Sequence, residues 1–342
     1  MSKRPIVILG ETLIDFSPSQ ASPVKLRLGY EGYPGGAPAN VAVALRQLGI
    51  PTRLITKVGD DVFGHCINEA LEAYGVDVSS VRMTSSARTG ITFVSLSEGG
   101  ERSFSFFCDG SADQRLAVSE IEPVWIEEAA LFHYGTFTLA HEPSRTTTLR
   151  AVEWARDAGV PVSIDVNLRL EVWESLAQAR DMAQSAIAAS DIVKMTLEEA
   201  SLIFTKATGS TSALEEILRL GPKLAVVTGG ADGGLYATQD LVARYAGVPA
   251  EPLDTTGAGD AFMAALLSKV AGIEWKVSLA PSALRRAFEY ASTAGALATE
   301  QFGAMSAMPG SRAIASRLRQ REAYSSTVQE GSNARESADT LG

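Results

Sequence analysis

Short runs rich in β-branched residues recur along the chain at Ile6 to Leu9, Thr52 to Val58, Leu131 to Tyr134, Val160 to Asp165, Ile192 to Met195 and Leu224 to Thr228. Between them lie longer stretches in which Ala and Leu return at helical spacing: Ala39 to Leu48, Glu69 to Tyr74, Arg145 to Ala158, Leu176 to Ala189 and Leu214 to Leu220. Strands that are mainly apolar, rather than alternating with polar residues, have both faces covered. Interleaved with helices, they predict an α/β core on a central, mostly parallel sheet with helices on both faces.

Two stretches break this alternation. One is Val24 to Glu31. The other is Gly90 to Cys108, where Ile91 to Ser97 and Arg102 to Phe107 flank the turn-forming Glu98-Gly99-Gly100-Glu101. Sequential strands around a glycine-bearing turn predict an antiparallel hairpin. The insertions at 13–32 and 89–111 are therefore expected to form a small β-sheet lid on an α/β core of 1–12, 33–88 and 112–310. Period-two alternation puts Phe104, Phe106 and Cys108 on one face of the hairpin and Ser103, Ser105 and Phe107 on the other. The apolar face needs a cover from the substrate, the core or a second subunit. Residues 311–342 read as a polar tail in which Arg317 to Arg321 finish a helix and the end is disordered.

At 342 residues the chain is about twice the usual single-domain length, and 46% hydrophobic with 20% charged residues excludes disorder over most of it. A net charge of −10 argues against diffuse binding to nucleic acid or anionic membranes, so an anionic ligand needs a locally positive site. Cys66 and Cys108 are too few for a disulfide framework, and three histidines argue against a His-rich metal centre. The N-terminal apolar run is too short for a signal peptide, and none reaches the ~20 residues of a membrane span. A soluble, cytoplasmic protein is expected.

Two motifs carry chemistry. Asp254-Thr255-Thr256-Gly257-Ala258-Gly259-Asp260-Ala261-Phe262 places two glycines at the start of a helix, where unpaired N–H groups and the dipole favour an anion. Asp260 there is either a helix-stabilising first-turn carboxylate or a base that takes a proton from a hydroxyl attacking the bound anion. The second motif is Gly35-Gly36-Ala37-Pro38-Ala39-Asn40 with its helix closing at Gly49. Paired glycines permit close backbone approach, and Asn40 offers donors and an acceptor suited to a sugar hydroxyl. In isolation it also reads as a capped helix start.

Together, Gly35 to Gly49 and Asp254 to Phe262 resemble the two signatures of the PfkB (ribokinase-like) carbohydrate kinase family, with details most similar to its bacterial fructokinases. Supporting pieces, in order, are Gly10 to Asp15, Val58 to Gly64, Asp165 to Arg169 with Trp173, Lys194 to Glu199 and Val227 to Gly233. The resemblance runs from Ile6 to about Pro309.

It implies ATP-dependent phosphorylation of a primary hydroxyl of a hexose, D-fructose first. Gly257, Ala258 and Gly259 would form the anion hole and Asp260 would be the general base. Asp15, Gly35, Gly36, Asn40, Phe104, Asn167 and Arg169 would surround the sugar. Lys194, Thr228, Gly230 and Gly233 would line the ATP site with Gly257 and Gly259, although Lys194 also reads as a solvated cation. Glu199 would organise Mg²⁺ through waters, with Thr196 where the family has an Asn and its hydroxyl holding a water. Asp254 and Thr256 resemble a loop that binds K⁺. Relatives dimerise through the lid. Some carry a lid Arg where this chain has Cys108, which cannot clamp a carboxylate, so a kinase for 2-keto-3-deoxygluconate or another sugar of the same family is the second reading. A non-catalytic scaffold is the third. A dinucleotide oxidoreductase is disfavoured because no G-x-G-x-x-G follows the first strand.

Overall fold

A computed structural model describes residues 4–18, 29–96, 102–271 and 280–321. The strands are β1 (Ile6–Leu9), β2 (Leu13–Pro18), β3 (Tyr30–Gly35), β4 (Thr52–Gly59), β5 (Val81–Thr84), β6 (Gly90–Leu96), β7 (Arg102–Phe107), β8 (Leu131–Gly135), β9 (Val162–Asp165), β10 (Ile192–Thr196), β11 (Leu224–Thr228), β12 (Gly234–Thr238) and β13 (Leu241–Tyr245). Two sheets result. A nine-stranded one runs in the order β13-β12-β11-β10-β9-β8-β1-β4-β5, and a four-stranded one runs β3-β2-β6-β7.

The six expected core strands all lie in the large sheet and pair in parallel. Their interiors are buried because helices cover both faces, which is why their sequences show no polar alternation. The β12-β13 hairpin at one edge is antiparallel and was not legible in those runs. Its strands are only half buried and carry Thr, Arg and Gly, so they lack the continuous apolar signal. From β1 the chain proceeds outward through β4 and β5, then returns on the other side of β1 at β8 and proceeds through β9, β10 and β11. The carboxyl ends of β1 and β8 therefore flank a reversal of strand order, where open α/β sheets form a ligand crevice.

Two helices aim the chemistry. Helix α1 (Ala37–Gln47) starts at Gly36, whose φ of 100° is open to glycine, and a β-carbon there would lie 2.7 Å from the Glu11 carbonyl. Helix α2 (Val62–Ala73) is capped by Asp61, whose carboxylate accepts from Phe63 N, Gly64 N, Thr89 N and Thr89 Oγ1. Burial pushes the Asp61 carboxyl up, but these donors together bring it below its ordinary value. They also tie Thr89, at the entrance to the small sheet, to the core. Helix α3 (Ala258–Val270) begins at Gly257, in the left-handed region at φ 79°. Its buried Ala261, Ala264 and Ala265 let it pack closely against α1, with its buried Ala39, Ala42 and Ala44.

The small sheet unites both insertions, with β2 bridging β3 and β6. Its register puts Asp15 opposite Thr92, and Thr92 opposite Phe106, on the core-facing side. Phe106 meets Phe137 of the core, so the core covers the apolar face expected from the hairpin. The opposite face carries its own aromatic cluster: Phe16 stacks on Phe93, which meets Tyr30 and Phe107 edge-on. That cluster joins residues from both insertions, and alternation within one hairpin does not reveal it. The hairpin turn at 97–101, the 19–28 segment and the tail beyond 321 lie outside the described residues. A helical segment covers 311–321.

Candidate active site

The two sequence motifs meet where α1 and α3 begin. Asn40 Nδ2 donates to Asp260 Oδ2 at 2.8 Å, across 220 residues of chain. One of the two amide N–H donors expected to read a sugar hydroxyl is thus given to the carboxylate, and the buried Asn40 Oδ1 is left without a partner among the described residues. Burial raises the Asp260 carboxyl to about 6. The Asn40 bond opposes this, Asp165 reinforces it, and Lys194 and Arg169 oppose it again. A carboxylate with that balance is ionised at neutral pH and has a higher proton affinity than an exposed one.

The backbone at 257–259 forms the helix start beside it. Gly257 has a φ of 79°, which favours glycine, and a β-carbon there would lie 2.9 Å from the flexible end of Met308. A β-carbon at Gly259 would lie 3.4 Å from Lys194 Nζ. Lys194 is therefore not a solvated cation. It is 6% exposed and pairs with Asp165 Oδ2 at 2.6 Å. Burial works against its charge, but Asp165, Glu199 and Asp260 hold its pKa above the ordinary lysine value. Glycine N–H groups, a helix dipole and a buried ammonium converge here, the local positive potential that an acidic chain requires for a polyphosphate.

The sugar-side candidates gather on the facing side. Asp15 of β2 packs directly on Gly35, where any β-carbon would collide with its Oδ2. Burial and then the charge of Asp260 raise Asp15 to about 7, with Arg169 opposing. Arg169 lies over the Phe104 ring at 5.7 Å, linking the small sheet to the segment after β9. Asn167 takes a left-handed φ of 38° and lines one cavity with Asp260, Asp165 and Glu11. Such a conformation is uncommon outside glycine, and Asn tolerates it best. Cys108 is buried among core residues, with Sγ donating to Ile91 O at 3.6 Å.

Thr228 ends β11 in register with Thr196, and exposed Gly230 follows at φ 59°. Gly233 is different: it is buried against the backbone of Tyr245 and Gly247, so its glycine serves the closure of the edge hairpin. Thr196 Oγ1 accepts from Glu199 N and caps its helix, which leaves its O–H free to donate. Glu199 accepts from Leu168 N at 2.6 Å and Thr196 N at 2.7 Å, which fixes its carboxylate beside the Asp165–Lys194 pair. Asp254 accepts from Thr256 N and Gly303 N, joining the loop before α3 to the 299–304 segment. Among the described residues, no three His, Cys, Asp or Glu side chains converge as a direct metal cage. A divalent ion held chiefly by phosphates and water, with Glu199 behind it, fits that donor set.

Glu11 and Asp165 line the same cavity as Asp260, although the motif reading gave them no role. Their signal is position: each is an acid at the carboxyl end of a buried parallel strand, at or beside the strand-order reversal.

The family of pfkB carbohydrate kinases matches residues 3–310. The chain is 39% identical over 317 residues, 90% of this chain and 91% of the other, to probable fructokinase-7 of Arabidopsis thaliana. A fructokinase from Xylella fastidiosa with bound ATP superposes with a TM-score of 0.85 at 27% identity, covering 94% of this chain and 99% of that one. A double mutant of the Vibrio cholerae O395 fructokinase, in a fructose, ADP and potassium ion bound form, gives 0.82 at 33% identity, covering 93% and 100%. Among the described residues, no helix is long and apolar enough to cross a membrane. With its two motifs joined at Asn40 and Asp260 and the match extending over nearly the whole α/β core, this chain belongs to the pfkB family of carbohydrate kinases.

Proposed function

We propose that this protein transfers the γ-phosphate of ATP to a primary hydroxyl of D-fructose. The observation that carries the reading is the Asn40–Asp260 bond, which orients a buried carboxylate beside the glycine-rich start of α3. Asp260 takes the proton of the hydroxyl as its oxygen attacks the γ-phosphorus and ADP leaves. Backbone N–H groups at 257–259 and the Lys194 ammonium stabilise the charge on the moving phosphoryl group. Asp15, Gly35, Gly36, Asn167 and Arg169 hold the sugar, with Phe104 against Arg169. Thr228 and Gly230 border the nucleotide.

Glu199 would hold Mg²⁺ through water, and the ion would further neutralise the phosphates of ATP. Asp254 and Thr256 would hold K⁺, which would support the loop before α3. Cys108, where a lid Arg would clamp a substrate carboxylate, offers no cation, which favours a neutral sugar over a sugar acid. An ATP-consumption assay over ketoses, aldoses, nucleosides and sugar acids, with and without K⁺, tests this. Fructose is expected to be preferred, and preference for 2-keto-3-deoxygluconate overturns it.

The small sheet acts as a lid that closes over the sugar and excludes water. Hydrogen exchange in 90–96 and 102–107 is expected to slow when sugar and nucleotide bind, and unchanged exchange removes the lid role. The outer aromatic cluster pairs with that of a second copy. Phe107, 62% exposed at its edge, is the residue to charge: Phe107→Glu is expected to convert a dimer to a monomer in sedimentation velocity, and a monomeric wild type ends the idea.

A further inference from the structure

Glu11 lies in the Gly10-Glu11-Thr12 passage from β1 of the large sheet to β2 of the small one. It is 5% exposed, and its Oε2 is buried without a hydrogen-bond partner among the described residues. It lines the cavity that also contains Asp260, Asp165 and Asn167. The Oδ1 atoms of Asn40 and Asp165 are likewise buried and unpartnered. Three such atoms around one base point to a ligand that both donates and accepts hydrogen bonds, which a sugar hydroxyl does. Asn40 Oδ1 accepts and Asp165 Oδ1 belongs to a carboxylate paired with Lys194, so of these three oxygens only Glu11 Oε2 is placed to donate, when it carries a proton.

We infer that Glu11 is a further sugar-contacting residue, whose carboxyl donates a hydrogen bond to a substrate hydroxyl in the cavity it shares with Asp260. This rests on the sugar-kinase reading. The groups facing Glu11 are Asp113 and Cys108 from the segment after β7, Asp260 of α3 and Arg169 after β9, with Asp165 and His133 lining the same cavity. Burial first, then Asp113 and Asp260, push the Glu11 carboxyl up to about 8, against its own backbone N–H and Arg169. It is therefore neutral at pH 7 and able to donate. Were it ionised, a further negative charge would stand beside the base.

The test compares wild type, Glu11→Gln and Glu11→Ala with D-fructose and ATP between about pH 6 and about pH 9. In wild type, kcat/KM for fructose is expected to fall on the alkaline side around the pH where Glu11 loses its proton. Glu11→Gln, which keeps a neutral donor, is expected to retain turnover near neutral pH and lose that alkaline limb. Glu11→Ala is expected to raise KM for fructose about tenfold or more while KM for ATP stays unchanged. An alkaline limb persisting in Glu11→Gln, or a wild-type fructose KM in Glu11→Ala, overturns the proposal. If Glu11→Ala does not fold, the Glu11→Gln profile decides alone. A wild type that phosphorylates no sugar overturns the kinase reading, and this proposal with it, whereas an active wild type with unaffected variants overturns only the role of Glu11.

Discussion

Replacing Asp260 by Asn lowers kcat by about 10²–10⁴-fold while leaving ATP affinity within a few-fold of wild type. The size of the loss follows from what the carboxylate does. Asn is nearly the same shape, so the packing of α3 and the 257–259 backbone stay in place, and the nucleotide meets the same N–H groups. Only the proton acceptor disappears. Because the base acts in the transition state and not on bound ATP, the effect appears in kcat. Steady-state kinetics with a calorimetric nucleotide titration separates the two, and wild-type turnover in the variant removes Asp260 from the role. In the wild type, the raised carboxyl places the acid limb of kcat/KM at about pH 6. Below it the base is protonated and idle, and above it the base is ionised.

Lys194→Met carries the second large effect, on stability and turnover together. The substitution keeps most of the side-chain volume but leaves the Asp165 carboxylate buried without its cation, which costs about 3–5 kcal/mol. It also removes an ammonium beside the Gly259 backbone, and turnover is expected to fall by about 10²-fold, comparable to losing one preorganised donor from an anion hole. The double variant Lys194→Met with Asp165→Asn separates these consequences: it regains most of the lost stability in thermal unfolding, and its turnover stays low. Recovery of turnover in the double variant would leave Lys194 with a purely structural role.

Much of this protein is legible along the chain because its signals are local. Buried parallel strands must be apolar on both faces, so six of them stand out as runs. A helix that starts at an anion site needs glycines and an early acid, so Gly257, Gly259 and Asp260 declare themselves. Edge strands such as β12 and β13 do not, since half-buried positions tolerate Thr, Arg and Gly.

The site's polar residues divide along the same line. Asn40 and Asp260 were each ambiguous, a cap or a functional group, because either motif alone is an ordinary helix start. Thr196 and Gly233 carry a second job that residue type does not reveal: one caps a helix and the other closes a hairpin. Lys194 reads as equally suited to water or phosphate until burial against Asp165 removes the first choice.

By itself, then, the sequence determined the α/β alternation, the glycine-rich helix starts and the family, all of which depend on residue type at short spacing. Tertiary structure decided the electrostatics. It brought Asn40 to Asp260 by packing two alanine-rich helices, buried Lys194 against Asp165, and set Glu11 beside the base at the reversal of strand order. Charge and proton affinity in a site depend on which groups are near and how far water is excluded. Neither quantity is written in any short stretch of chain.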